Sequence, residues 1–187
     1  MNIYLPYPNV DSYDSIHPVN MREGHDYLDR FLNHGKYQNI DEKTEYVPVQ
    51  SCIHSFETKR GNFLGAGGNT LACDIHTWNI LQPIVGDSVK LFPLNCGDGE
   101  YIILKVTNII DCLDYSKADV FRFQETGRVL HINKYAFKKE LIIGEHLFSI
   151  PEKKFGILVS QEFKDYVENH ELKGLLFQQV SGNSIEI

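Results

Sequence analysis

The chain has 187 residues, of which 42% are hydrophobic and 23% charged, with a net charge of -7 at neutral pH. That length fits one domain able to bury a core without disulfide or metal staples. The negative balance and the lack of a basic stripe argue against nucleic-acid binding, which needs clustered Lys and Arg on the phosphates, and favour either a basic protein partner or plain solubility.

Residues 1–50 read as an acidic, irregular segment. Asp11, Asp14, Glu23, Asp26, Asp29, Asp41, Glu42 and Glu45 outnumber Arg22, Arg30, Lys36 and Lys43, and Pro6, Pro8 and Pro18 keep the start out of helix. Tyr27, Leu28, Phe31 and Leu32 recur at helical spacing, which predicts a helix over about Gly24–Asn33. Tyr46–Val49 and Cys52–Phe56 are short strand candidates, and Gly61, Gly65, Gly67 and Gly68 punctuate the loop after them. Asp74 is placed to cap a helix over Ile75–Gln82 that Gly86 ends.

Val89–Leu94 and Tyr101–Val106 flank Asn95-Cys96-Gly97-Asp98-Gly99, the pattern of a β-hairpin. A second hairpin is expected from Val120–Phe123 and Arg128–Ile132 around Glu125-Thr126-Gly127. Periodicity leaves Tyr135–Leu141 open between a short helix and an extended piece. Phe155–Val159 reads as a strand entering a helix that Ser160 caps, with Glu162 in its first turn and Phe163, Tyr166 and Val167 on one face. The helix should run to about Asn169, and after Gly174 a last strand should cover Leu175–Val180. The expected core is Leu91, Ile103, Leu104, Val106, Ile109, Phe121, Ile132, Phe148, Val159, Phe163, Val167 and Phe177. The fold class is α+β: antiparallel hairpins with a few short helices, in a single domain with an irregular N-terminal lobe.

Several residue sets invite a chemical reading. Cys52-x-His54 and Cys73-x-x-His76 have ligand types for zinc, but strand spacing makes Cys52-x-His54 a loose clamp, so buried cysteines and half-exposed histidines are the expectation and no metal site is assigned. The same residues are the only local candidates for a nucleophile–base pair, and closeness in sequence does not make a dyad. The glycine-rich stretch Gly61–Asn69 lacks the Lys-Ser or Lys-Thr of a phosphate loop and the third glycine of a dinucleotide fingerprint. Asp111, Asp114 and Asp119 could form a carboxylate site, but Asp114-Tyr115-Ser116-Lys117 reads as a turn. No catalytic residue and no cofactor site is expected. Cys52, Cys73, Cys96 and Cys112 have no disulfide framework and are expected as free thiols. The start, Met1–Pro6, lacks the basic and apolar regions of a secretory signal, and no apolar run nears the roughly 18 residues of a membrane span, so the expected compartment is the cytoplasm.

The stretch from Trp78 to Val180 resembles the immunity-protein family eleven of bacterial polymorphic-toxin systems. Five blocks carry the likeness: Leu81–Asp87; Tyr101–Asp114 with Asn108-x-x-Asp111-x-Leu113-Asp114; Asp119–Lys134; His146–Pro151; and Val159–Phe177 with Val159-Ser160-x-x-Phe163-Lys164 and Leu172-x-Gly174-Leu175-x-Phe177. In place of the Ser-Glu pair that often opens the family's first helix stands Asp74-Ile75-His76-Thr77-Trp78. The resemblance implies an immunity-family domain over residues 73–181, a divergent N-terminal lobe over 1–72 and a tail over 182–187. It also implies a toxin-neutralising protein that acts by stoichiometric occlusion, monomeric or dimeric when free, with no membrane or nucleic-acid partner. A small Cys/His hydrolase-like enzyme and a non-catalytic scaffolding subunit are the alternatives. A basic toxin would be met by the divergent, Tyr- and acid-rich segment, where Tyr13, Asp14, Asp26, Tyr27, Asp29, Tyr37, Asp41 and Glu42 are the candidate contacts, beside Tyr4, Tyr7 and Asp11.

Overall fold

The computed structural model describes residues 1–32, 45–66 and 70–181. Among them the architecture is α+β in one domain, with strands from the first third of the chain built into both larger sheets. The strands are β1 (Ile3–Pro8), β2 (Ser15–Pro18), β3 (Val49–His54), β4 (Phe63–Gly65), β5 (Leu71–Asp74), β6 (Val89–Cys96), β7 (Gly99–Val106), β8 (Asp119–Arg122), β9 (Val129–Lys134), β10 (Leu147–Ile150), β11 (Lys153–Ser160) and β12 (Leu175–Gln179). The helices are α1 (Met21–Leu32), α2 (Ile75–Val85) and α3 (Gln161–Asn169), and Lys139–Leu141 form one 3-10 turn.

β2, β3, β6, β7, β5 and β4 close into a barrel, in that order. The β3–β6 and β2–β4 contacts are parallel, and the other pairs are antiparallel. β10, β11, β1 and β12 form an antiparallel sheet, and β8 and β9 stand apart as a two-stranded ribbon. The apolar interior falls into three clusters. One lies under α2 and α3 around Phe63, Leu81, Val159 and Phe163; one fills the barrel around Ile16, Leu64, Phe92 and Ile103; one lies beneath the ribbon around Leu113, Ile142, Phe148 and Leu158.

Local signals account for most element ends. Asp74 accepts the Thr77 amide at 2.6 Å, and Gly86, at φ 55°, sends its N–H back to Gln82, so α2 runs one turn beyond the expected Gln82 and takes in Pro83. Ser160 Oγ accepts the Phe163 amide at 3.1 Å and starts α3, which ends at Asn169 as expected. α1 starts three residues before the expected Gly24, because Asn20 accepts from the Glu23 and Gly24 amides while its own side-chain amide donates to Glu23. The first hairpin closes with Cys96 opposite Gly99, and the second is present with irregular register. Tyr135–Leu141 is split between an isolated bridge at Phe137 and the 3-10 turn.

Three expectations are corrected. The start of the chain is not irregular, because β1 lies between β11 and β12. The amide of Ile3 donates to Ser181 Oγ and its carbonyl accepts from Val180, so Ile3, Leu5 and Tyr7 address β12. Pro6 and Pro8 therefore turn their donor-less nitrogens to the other edge, where the β11 pairing stops at Tyr4. Tyr46–Val49 is not a strand of its own: β3 begins at Val49, and Tyr46 anchors the approach by donating its hydroxyl to the Pro93 carbonyl at 2.8 Å. Within the expected core, Ile109 and Phe121 are 46% and 53% exposed. Strand alternation sends Val120 inward and Phe121 outward, and the Ile109 backbone is used for a bridge to Ser149. Leu91 and Phe177 are partly buried against the first cluster, and the remaining eight are buried. The expected tail, residues 182–187, lies outside the described residues.

Candidate partner-binding surfaces

The structure separates the two Cys/His pairs. Cys52 and His54 share the outer face of β3, with Sγ 3.3 Å from Nε2. Cys73 is fully buried in the first cluster on β5, and His76 is exposed on α2. The barrel puts two strands between β3 and β5 in either direction. Burial, reinforced by the neighbouring Asp74, pushes the Cys73 thiol well above the usual thiol range, the opposite of nucleophile activation. Cys112 is also raised, chiefly by burial, to about 11. The four cysteines are free.

Cys52 and His54 instead meet histidines from the N-terminal segment. His17 stands opposite Cys52 in the β2–β3 register, and its ring lies edge-to-face with His54 at 5.2 Å and with His25 of α1 at 5.8 Å. Among the described residues, no three His, Cys, Asp or Glu side chains stand where they could hold a metal ion. Burial first, then the like charges of His54 and His25, hold His17 below its ordinary value of 6.5. The folded state thus resists a proton that the unfolded chain accepts. The associated stability is complete above pH 6.5 and is lost as pH falls through the depressed folded value. Urea unfolding at about pH 7.5 and about pH 5 should show this loss, and His17→Gln should make the difference smaller; an equal loss in the variant would assign the acid sensitivity to other groups.

The candidate contacts of the N-terminal segment divide sharply. Asp14 is 5% exposed and is held internally. It accepts from Thr58 Oγ1 at 2.6 Å and from Arg60 Nε at 3.0 Å, and Arg60 continues to the Tyr101 hydroxyl at 2.6 Å. Burial raises the Asp14 carboxyl, but the bonds from Thr58, Ser55 and Arg60 outweigh it and bring the value below 3.8. Asp14 therefore ties the β1–β2 connection to the barrel wall. Tyr13 is half-buried beside Gly61, and Tyr4 is buried in the first cluster with its hydroxyl on Gln161. Tyr27 accepts the Val47 amide at 2.8 Å. Asp11, Asp26 and Tyr7 are exposed, and Asp29 follows Asp26 by three positions on α1. Tyr37, Asp41 and Glu42 lie outside the described residues.

The three acids of the C-terminal half do not converge. Asp114 caps its own turn through Ser116 and pairs with Lys117 at 2.9 Å, which with those hydrogen bonds brings it down to about 2. Asp119 accepts from Asn133, and Asp111 is exposed.

One surface escaped the sequence reading. The outer face of the β8–β9 ribbon exposes Phe121 at 53%, Phe123 at 42% and Leu130 at 48%, next to Tyr115 at 50%. Phe121 stacks on His131 at 5.2 Å, Arg128 lies over Phe123 at 5.9 Å, and Arg122 lies over Tyr115 at 5.3 Å. Phe121-Arg122-Phe123 was the available signal, since a strand buried on one face cannot bury Phe121 together with Val120.

Residues 95–182 match the model of the Immunity protein family (Imm11). The match covers four of the five blocks that carry the resemblance and starts after Leu81–Asp87. No curated protein matches the chain. No helix among the described residues is long and apolar enough to cross a membrane.

Proposed function

We propose that this chain is an immunity protein that binds a cognate bacterial toxin and neutralises it by stoichiometric occlusion, without turnover. The carrying observation is the family match over residues 95–182. The full burial and raised thiol of Cys73, with His76 exposed on α2, disfavour a hydrolysis through Cys73 and His76. The protein would work in the cytoplasm, as monomer or homodimer before it meets the toxin. Co-expression with the toxin domain encoded beside it tests the reading. Cells should survive and a 1:1 complex should be isolated; toxicity undiminished, with both proteins present and folded, would refute it. Single changes at Cys52, His54, Cys73 or His76 that leave the melting temperature unchanged should leave protection intact.

The proposed contact segment for a basic toxin centres on Asp26, exposed on α1, with Tyr27 and Asp29 next in sequence and Tyr37, Asp41 and Glu42 after them. The net charge of -7 supplies long-range attraction to a basic partner. Asp14, buried and bonded to Thr58 and Arg60, is left out of this contact segment, and half-buried Tyr13 stands at its margin in sequence. Reversing Asp26 and Asp29 to Lys should slow association about tenfold at low salt, flatten its salt dependence, and change dissociation little. An unchanged association rate would place the toxin elsewhere on the chain.

A further inference from the structure

We infer that Cys52 is a modification site, at which a low-molecular-weight disulfide caps the chain by thiol–disulfide exchange with His54 as the proton acceptor. The four cysteines differ in access. Cys73 and Cys112 are fully buried, Cys96 is 9% exposed and packs in the barrel interior, and Cys52 is half-buried. Strand alternation accounts for the difference within the barrel wall. Ser51 stands opposite Cys96 and both are buried, so Cys52, one residue on, turns to the outer face.

Access alone makes a slow thiol, because only a few per cent of free cysteine is thiolate at neutral pH. Here the sulfur lies 3.3 Å from Nε2 of His54, two residues on along the same face. With the ring proton on Nδ1, Nε2 is free to take the thiol proton. The base is itself held: its ring stands edge-to-face against His17 at 5.2 Å and tilted against Phe56 at 6.3 Å. Nucleophile, base and orienting contacts are thus assembled in one place. The titratable groups that face the pair are imidazoles, His17 opposite Cys52 on β2 and His25 of α1 against His17, while β6 brings the uncharged Asn95 opposite Gln50.

In the step, the Cys52 proton passes to His54 and the thiolate attacks one sulfur of the disulfide. The bond from Cys52 to that sulfur forms, the S–S bond of the reagent breaks, and the departing thiolate takes the proton back from His54. One thiol and one disulfide become one mixed disulfide and one thiol, with no further oxidant. Burial of Cys73, Cys96 and Cys112 leaves no accessible second thiol to displace the cap, so the product is a mixed disulfide and not an internal bridge. This is a modification of the chain rather than a turnover. It does not depend on the toxin assignment, and it leaves the uncapped protein free to protect without Cys52.

The test uses the full native chain and two probes, a nitrobenzoate disulfide that releases a coloured thiolate and oxidised glutathione followed by intact mass. One equivalent of each should add, peptide mapping should place the cap on Cys52, and Cys52→Ser should abolish it. The exchange should run faster than with free cysteine at neutral pH. His54→Gln should slow it about tenfold there, and the gap should close near pH 9.5, where hydroxide ionises the thiol without help. If His54→Gln melts early, His54→Phe keeps the ring contacts and removes the nitrogen. A cap mapped to another cysteine, a rate no higher than that of free cysteine, a His54 variant as fast as the parent at neutral pH, or a gap that persists at pH 9.5 would each overturn the inference.

Discussion

Gly174→Ala is expected to destabilise the protein by about 3–5 kcal/mol, through backbone strain of about 1–3 kcal/mol and a similar term for overpacking. Gly174 has φ 110°, a region that L side chains rarely enter, and an added Cβ would overlap the Phe63 carbonyl oxygen with the Phe63 carbonyl carbon and nitrogen only 3.1 and 3.2 Å away. The neighbours cannot yield cheaply, because they are backbone that is already bonded. Phe63 and Asn62 donate their amides to Lys173 O at 2.9 Å, and Asn9 donates to Gly174 O at 2.9 Å. One residue thus sets the spacing between the barrel strand β4, the β1–β2 connection and the start of β12. Chemical denaturation measures the effect; a loss below about 1 kcal/mol would mean that β12 shifts freely against β4.

Phe163→Ala should cost about 3–5 kcal/mol, the range for removing a fully buried aromatic ring. Phe163 is 1% exposed and shares the first cluster with Trp78, Leu81, Val159 and Val167, so the cavity would open where α3 seats against the sheet and α2. α3 has only nine residues, too short to hold its shape without that packing. One further tie remains in the variant, the Tyr166 hydroxyl on the Ile80 carbonyl at 2.9 Å. A loss under about 1 kcal/mol, read from denaturant midpoints, would contradict the seating described for this helix.

The parts of the fold that were legible in the sequence are those whose cause is local. Asp74 and Ser160 accept amides three residues on, Gly86 takes a positive φ, and the Gly97-Asp98 connection closes a hairpin between neighbouring strands. The barrel was not legible, because it depends on β3 meeting β6 and β2 meeting β4 in parallel, and no short-range pattern encodes a pairing across such distances. The prolines of β1 hid a strand for a related reason: they are acceptable because the β1–β11 pairing ends at Tyr4 and Val159, which no pattern at residues 6 or 8 encodes. Asp14 looked like one more surface acid among tyrosines until Arg60 and Thr58 arrived from another segment to enclose it. Phe121 and Ile109 were misjudged because hydrophobicity alone does not tell which of two faces is wet.

The position of β1 has a consequence for how the molecule comes into being. Ile3 is synthesised long before its partner Ser181, 178 positions later, and the strand that covers Tyr4–Pro8 is β12. The nascent chain therefore carries β1 without its sheet partners until β11 and β12 have been made, and a long loop must close to bring them together. The barrel can assemble earlier, since its last strand, β7, ends at Val106. If the barrel forms as its strands emerge, the second sheet is still open at that point, and its unpaired edges are where chaperone capture and edge-to-edge association would compete with completion.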